Sequence, residues 1–229
     1  MIERVVMDES WRREIDIALN ESDVVGVQEW SGSIVLLLHV LAVPEYGPVD
    51  VDTRRMLVLS EPARVRVLLR RDRIGQYAYG PVVPLSDLES VDEFLASASW
   101  HGSMYGWRFL DDPELISDWP AHVSLDIVWA STPARHSLYW FNECGREEDG
   151  ESVAYCIEGV VEFEQLQVRR ADGTPVALEV FVADGKLHGG DPRVAPEAQT
   201  TQPKPPPWRP VPDIQNAAPR HASPHRQQP

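Results

Sequence analysis

Hydrophobic positions recur along this chain first with a helical period and then with a strand period. Trp11, Ile15, Ala18 and Leu19 fall at i, i+4, i+7 and i+8, one stripe of a 3.6-residue repeat. The spacing predicts a helix over 9–21, capped by Asp8 or Ser10, with Arg12, Arg13, Glu14 and Asp16 toward water. Val24 to Trp30 and Ser33 to Val43 then flank Ser31-Gly32, a two-residue hairpin signal. The second run is apolar almost throughout and predicts a central strand covered on both faces. Met56–Leu59 and Val65–Leu69, parted by Ser60-Glu61-Pro62, predict another strand pair. Val65, Val67 and Leu69 alternate with Arg64, Arg66 and Arg70, the period of a half-buried strand. Gln76 to Val83 reads as an edge strand, because Pro81 and Pro84 cannot donate to a ladder.

Leu88, Val91, Phe94 and Leu95 return to helical spacing and predict a helix over 85–98, with Ser86 and Glu89 as a capping box. A short helix is predicted over 113–119, with Asp112 as its cap. Strands follow at 123–130, 137–144, 153–157, 163–170 and 176–182. The last two flank Asp172-Gly173, the strongest hairpin signal in the chain; Asp184-Gly185 reads as a second turn, and Gly145 to Ser152 as an acidic loop. About ten strands and two or three helices, in the order helix, strands, helix, strands, define an α+β fold. It is mainly antiparallel, in one sheet or two.

The pattern stops at Pro196. Ten of the 20 prolines lie in the last 34 residues, where apolar positions are sparse. Residues 1–195 therefore read as a single β-rich globular domain and 196–229 as a disordered proline-rich tail. The charge divides the same way. The chain holds 36 acidic and 21 basic residues, and two acidic and four basic ones lie in the tail. Residues 1–195 thus keep 34 against 17, a net of −17. Such a field repels phosphate backbones and anionic lipid, so neither nucleic acid nor a membrane surface is an expected partner; a basic protein is. Two cysteines make no disulfide framework, no apolar run reaches the roughly 20 residues of a membrane span, and Met1 to Trp11 lacks the pattern of a secretory signal. The expected location is the cytoplasm.

Candidate chemistry concentrates between Trp100 and Arg108. Trp100, His101, Ser103, Tyr105, Trp107 and Arg108 combine aromatics with polar groups, and Gly102 and Gly106 let backbone approach a ligand. Here His101 would serve as acid or base and Arg108 would hold an anion, with Tyr105 and Trp107 as walls. Ser103 does not stand in a nucleophile elbow, because His101 and Tyr105 occupy the glycine positions. An aromatic turn with Trp100 and Trp107 as core anchors explains the same residues. No metal-ligand spacing joins His101, His122, His136 and His188, and the acidic loop lacks the alternating oxygen ligands of a calcium site. His39, in an apolar strand, reads as a buried neutral imidazole. Cys144 and Cys156 read as inert thiols whose pKa the surrounding acids raise. Trp30, Trp107, Trp119, Trp129 and Trp140 read as core.

No catalytic residue, cofactor or metal is expected. The first functional expectation is a non-catalytic protein-binding module. Glu147, Glu148, Asp149 and Glu151 would meet a basic partner, and Trp208, in a polyproline-type stretch, would serve as a docking motif. The alternative is a small-ligand-binding protein or enzyme built around residues 100–108.

Overall fold

The computed structural model describes residues 7–20, 22–40, 52–71, 80–102, 106–110 and 119–190. Helix α1 (Glu9–Leu19) opens at Asp8, whose Oδ1 accepts the Trp11 N–H at 2.9 Å, and it buries Ile15, Ala18 and Leu19 as their spacing predicts. Strands β1 (Asp23–Trp30) and β2 (Ser33–His39) form the expected hairpin. Ser31 and Gly32 both take positive φ, the twist that a two-residue turn demands. Next to β2 lies β3 (Arg54–Ser60). The five-stranded first sheet is completed by β10 (Gln165–Arg170) and β11 (Pro175–Val176), in the order β1-β2-β3-β10-β11.

The second sheet has six strands. These are β4 (Arg64–Arg71), β5 (Trp100–Gly102), β6 (Arg108–Phe109), β7 (Leu125–Val128), β8 (His136–Glu148) and β9 (Glu151–Phe163). Their order is β5-β8-β9-β4-β7, and β6 lies beside β5 on the same edge of β8. Helix α2 (Leu88–Ala96) and helix α3 (Leu178–Gly190) complete the fold. One core cluster draws Ile34, Leu36 and Leu38 of β2, Val65, Val67 and Leu69 of β4, and Trp140 of β8 together with residues of all three helices. The opposite face of β2 is also covered. Val35 and Leu37 join Val25, Met56 and Val58 in a smaller cluster against Trp30, over whose ring the Arg169 guanidinium lies at 5.7 Å.

Four expectations are corrected. β3 and β4 do not pair. The chain crosses between the sheets at Ser60–Ala63, with Glu61 at φ 53°, and β4 pairs β9 and β7 instead. The acidic stretch is no loop, for β8 and β9 pair up to Glu148↔Glu151 around Asp149-Gly150, both at positive φ. This Asp-Gly turn was masked in the sequence by its charged flanks, which are tolerated because the tip faces water. The α2 capping box is Asp87 with Ser90, one residue beyond the expected pair, with Asp87 Oδ1 accepting the Ser90 N–H at 2.8 Å. Finally, 178–190 is helix where strand and turn are expected. Its β-branched and aromatic residues favour strand, but Phe181 and Val182 bury against the main core. Gly185 lets α1 approach so closely that a Cβ there would lie 2.4 Å from Ala18 Cα, so tertiary packing overrides local preference. The predicted helix at 113–119 lies outside the described residues except Trp119, and so does the tail. Of the predicted 76–83 strand only residues 80–83 are described, among them Val82, which bridges Arg70.

Strand β1 is the free edge of the first sheet, and side chains seal it. Asn142 of β8, fully buried, donates from Nδ2 to the Val24 carbonyl at 2.6 Å and accepts the Val24 N–H on Oδ1 at 3.2 Å. Asp92 of α2 accepts the Val27 N–H at 3.0 Å and the Gln28 amide at 3.1 Å. Gly26 makes the approach possible, because a Cβ there would meet Asp92 Oδ1 at 2.5 Å.

Candidate functional site

The described residues of the 100–108 segment do not converge on one point. Trp100 and His101 lie on β5, opposite Gly145 and Cys144, whereas Arg108 lies on β6 opposite Tyr139. Five residues of β8 separate the two rows, roughly 17 Å at strand rise, so His101 and Arg108 do not share a small ligand. Trp107 is buried and its indole donates to the Ser22 carbonyl at 2.9 Å, while Arg108 is exposed. Trp100 is 42% exposed and lies across Gly145. Ser103 and Tyr105 fall outside the described residues, as does Trp208.

A cleft opens instead where the acidic hairpin leaves the body. Its volume is about 380 Å³. Leu69 of β4, Val83, Leu85 and Phe94 supply apolar walls; Ser90, Glu93 and Ser97 of the α2 segment and Arg146 and Tyr155 of the hairpin supply the polar groups. Phe94 and Tyr155 pack edge to face at 5.3 Å. The Arg146 guanidinium lies over the Phe94 ring, 5.1 Å from its centroid. Strand alternation puts it there, since His136, Leu138, Trp140, Asn142 and Cys144 precede it on the same inward side of β8.

Of the four hairpin acids, Glu147, Asp149 and Glu151 are exposed. Glu148 is held: Arg71 pairs with it at 3.0 Å and the Tyr155 hydroxyl donates to it. Burial, with that hydrogen bond, raises the Tyr155 pKa. The sequence reading placed Phe94 in the core and overlooked Glu93, Arg146 and Tyr155 as wall residues. The available signal was Arg146, a lone cation inside an acidic run and in phase with the buried positions of β8.

No family model, curated protein or solved structure matches this chain.

A second polar constellation lies on the outward side of the second sheet. Glu158, with a side chain 8% exposed, accepts the Trp119 indole N–H at 3.0 Å and the Tyr139 hydroxyl at 2.9 Å, and it pairs with Arg70. Each oxygen already has protein donors, so the arrangement is that of a structural ion pair. Cys144 and Cys156 are both fully buried and on opposite faces of the second sheet, since Cys144 pairs with Tyr155 and Cys156 with Glu143. The Cys144 thiol is pushed up to about 12, chiefly by burial and then by Cys156, with Arg146 opposing and Glu143 adding least, which revises the expected cause. Trp129 is 38% exposed, not core. Among the described residues no three metal-ligating side chains gather, and no helix is long and apolar enough to cross a membrane.

Asp23 and His39 face each other across β1 and β2. Burial lowers the His39 pKa, aided by Arg54 and opposed by Asp52, and no described residue hydrogen-bonds its Nε2. Asp23 Oδ1 likewise lacks a described partner, and burial raises this carboxyl from 3.8 to about 6. A raised acid holds its proton more tightly in the folded state. Its contribution to stability is therefore complete below the unfolded pKa and lost as pH rises through about 6. Asp23→Asn is expected to match the parent near pH 4 and to exceed it at pH 7. The gain is at most about 3 kcal/mol at 1.36 kcal/mol per pKa unit, and less as water reaches the group. Urea midpoints at pH 4, 5, 6 and 7 test this; a pH-independent difference rejects it.

Proposed function

We propose that this chain is a non-catalytic protein-binding module whose cleft beneath the β8–β9 hairpin receives a basic segment of a partner protein. The reading is carried by one juxtaposition: an apolar, aromatic-walled cleft lined by the exposed Glu93 and by Arg146 and Tyr155 of the same hairpin that carries the exposed acids Glu147, Asp149 and Glu151. An apolar anchor in a pocket supplies affinity, and surrounding charge of one sign steers an oppositely charged chain and fixes its register. The net of −17 over residues 1–195 extends that steering beyond the cleft. The polar groups at the cleft are ones that bind. Glu148 is already spent on Arg71 and Tyr155, and among the described residues no imidazole lines the walls. A cytoplasmic setting accords with two free buried thiols.

The test is fluorescence anisotropy of the full chain with a labelled peptide carrying a leucine anchor between arginines, beside a glutamate-flanked control. Binding of the arginine peptide is expected to weaken with salt and to fall about tenfold in Glu93→Lys/Glu151→Lys. Two exposed charges at up to about 1 kcal/mol each account for that factor. Equal binding of the control, or no change in the double variant, rejects the reading.

A further inference from the structure

We propose that the cleft has a resident occupant, the chain's own proline-rich tail, with Trp208 as the anchor and Lys204 and Arg209 against the acidic rim. The inference rests on the proposed binding role of the cleft and names the segment that fills it. Three observations carry it.

The first is charge. The tail holds Lys204, Arg209, Arg220 and Arg226 against Glu197 and Asp213, a net of +2, on a chain whose remaining residues sum to −17. Its sign is opposite to that of the body as a whole, and its cations, unlike the arginines of strand β4, lie outside the described fold.

The second is the order of residues around Trp208. Arg146 stands inside the cleft over Phe94, so a cation at the centre of an occupant would meet like charge. Lys204-Pro205-Pro206-Pro207-Trp208-Arg209 puts its two cations at the ends and only apolar residues between them. In polyproline II geometry the ends lie about 15 Å apart, at 3.1 Å per residue. Charge thereby falls toward Glu93 of the cleft wall and toward the hairpin end, where Glu151 shares the face of Arg146, and the indole falls at the Phe94–Tyr155 wall. Consecutive prolines hold this extended form before docking, so little ordering entropy is lost.

The third is reach. Helix α3 ends at Gly190, and eighteen residues run from Asp191 to Trp208. Fully extended they span roughly 60 Å. The body has an expected radius of gyration of about 16 Å, so the tether spans more than its width. A tether of this length presents its end at an effective concentration near 1 mM, which fills even a weak site.

The test compares the full-length parent with full-length Trp208→Ala and with Lys204→Glu/Arg209→Glu. These positions lie outside the described fold, and thermal melts check that stability is unchanged. The probe is a fluorescein-labelled peptide of residues 202–211 added in trans, with the arginine–leucine peptide above as a second probe. Both probes are expected to bind the two tail variants about tenfold more tightly than the parent, whose tail competes. Equal affinity for parent and variants overturns the tail proposal and leaves the cleft reading standing. So does binding of the arginine–leucine peptide alone. Failure of both peptides to bind any chain overturns the cleft reading, and the tail proposal falls with it.

Discussion

Glu158→Ala is expected to cost about 3–5 kcal/mol of stability, because it breaks a buried ion pair from one side. The Arg70 side chain, 14% exposed, loses its carboxylate, and the Trp119 and Tyr139 donors lose their shared acceptor. A largely buried cation deprived of the Glu158 charge is the expensive part, so Glu158→Gln, which keeps the shape, recovers the neutral donors but only part of the loss. The double change Glu158→Leu/Arg70→Met is expected to be more stable than Glu158→Ala, since it removes both charges together. Urea denaturation of the three variants measures this; a loss under 1 kcal/mol for Glu158→Ala would mean that Arg70 is readily hydrated and the pair is not a buried one.

The second large effect is expected at Asn142. Its carboxamide serves both backbone groups of Val24 from another sheet, as a neighbouring strand would. Asn142→Ala strands a buried N–H and a buried carbonyl at about 1–3 kcal/mol each, for a total of about 2–6 kcal/mol. Asn142→Asp is expected to do no better, because the carboxylate cannot donate to the Val24 carbonyl and brings a charge into the core. Amide exchange at Val24 gives a local readout: it is expected to accelerate beyond the change at β2 amides. A uniform acceleration across the sheet would show that the side chain does not act as this edge's partner.

Much of the architecture was legible because the signals were local and physical. The 3.6-residue stripe of α1, the Ser31-Gly32 turn and the two-faced apolar run of β2 each follow from residues within ten positions. What escaped reading depends on distant partners. Nothing between Ser60 and Ala63 says that β3 and β4 belong to different sheets; that is decided by β10 and β9, a hundred residues later. Helix α3 carries strand-forming side chains and becomes helical against α1. The cleft was illegible for the same reason, since Leu69, Phe94 and Arg146 meet only after three elements have packed. Among the expected site residues, Glu147, Asp149 and Glu151 are exposed on the hairpin, whereas Trp107 serves the core and Arg108 faces water away from His101.

Helix α2 has two jobs on consecutive residues. Asp92 clasps the open backbone of β1, and Glu93 and Phe94 form the side of the cleft. Anything seated in that cleft leans on the same turn of helix that keeps β1 from recruiting a foreign strand. The cleft wall and the clasp of the β1 edge thus share one turn of helix, and a change at Asp92 that releases Val27 and Gln28 leaves the unpaired backbone through which exposed strands stack edge to edge.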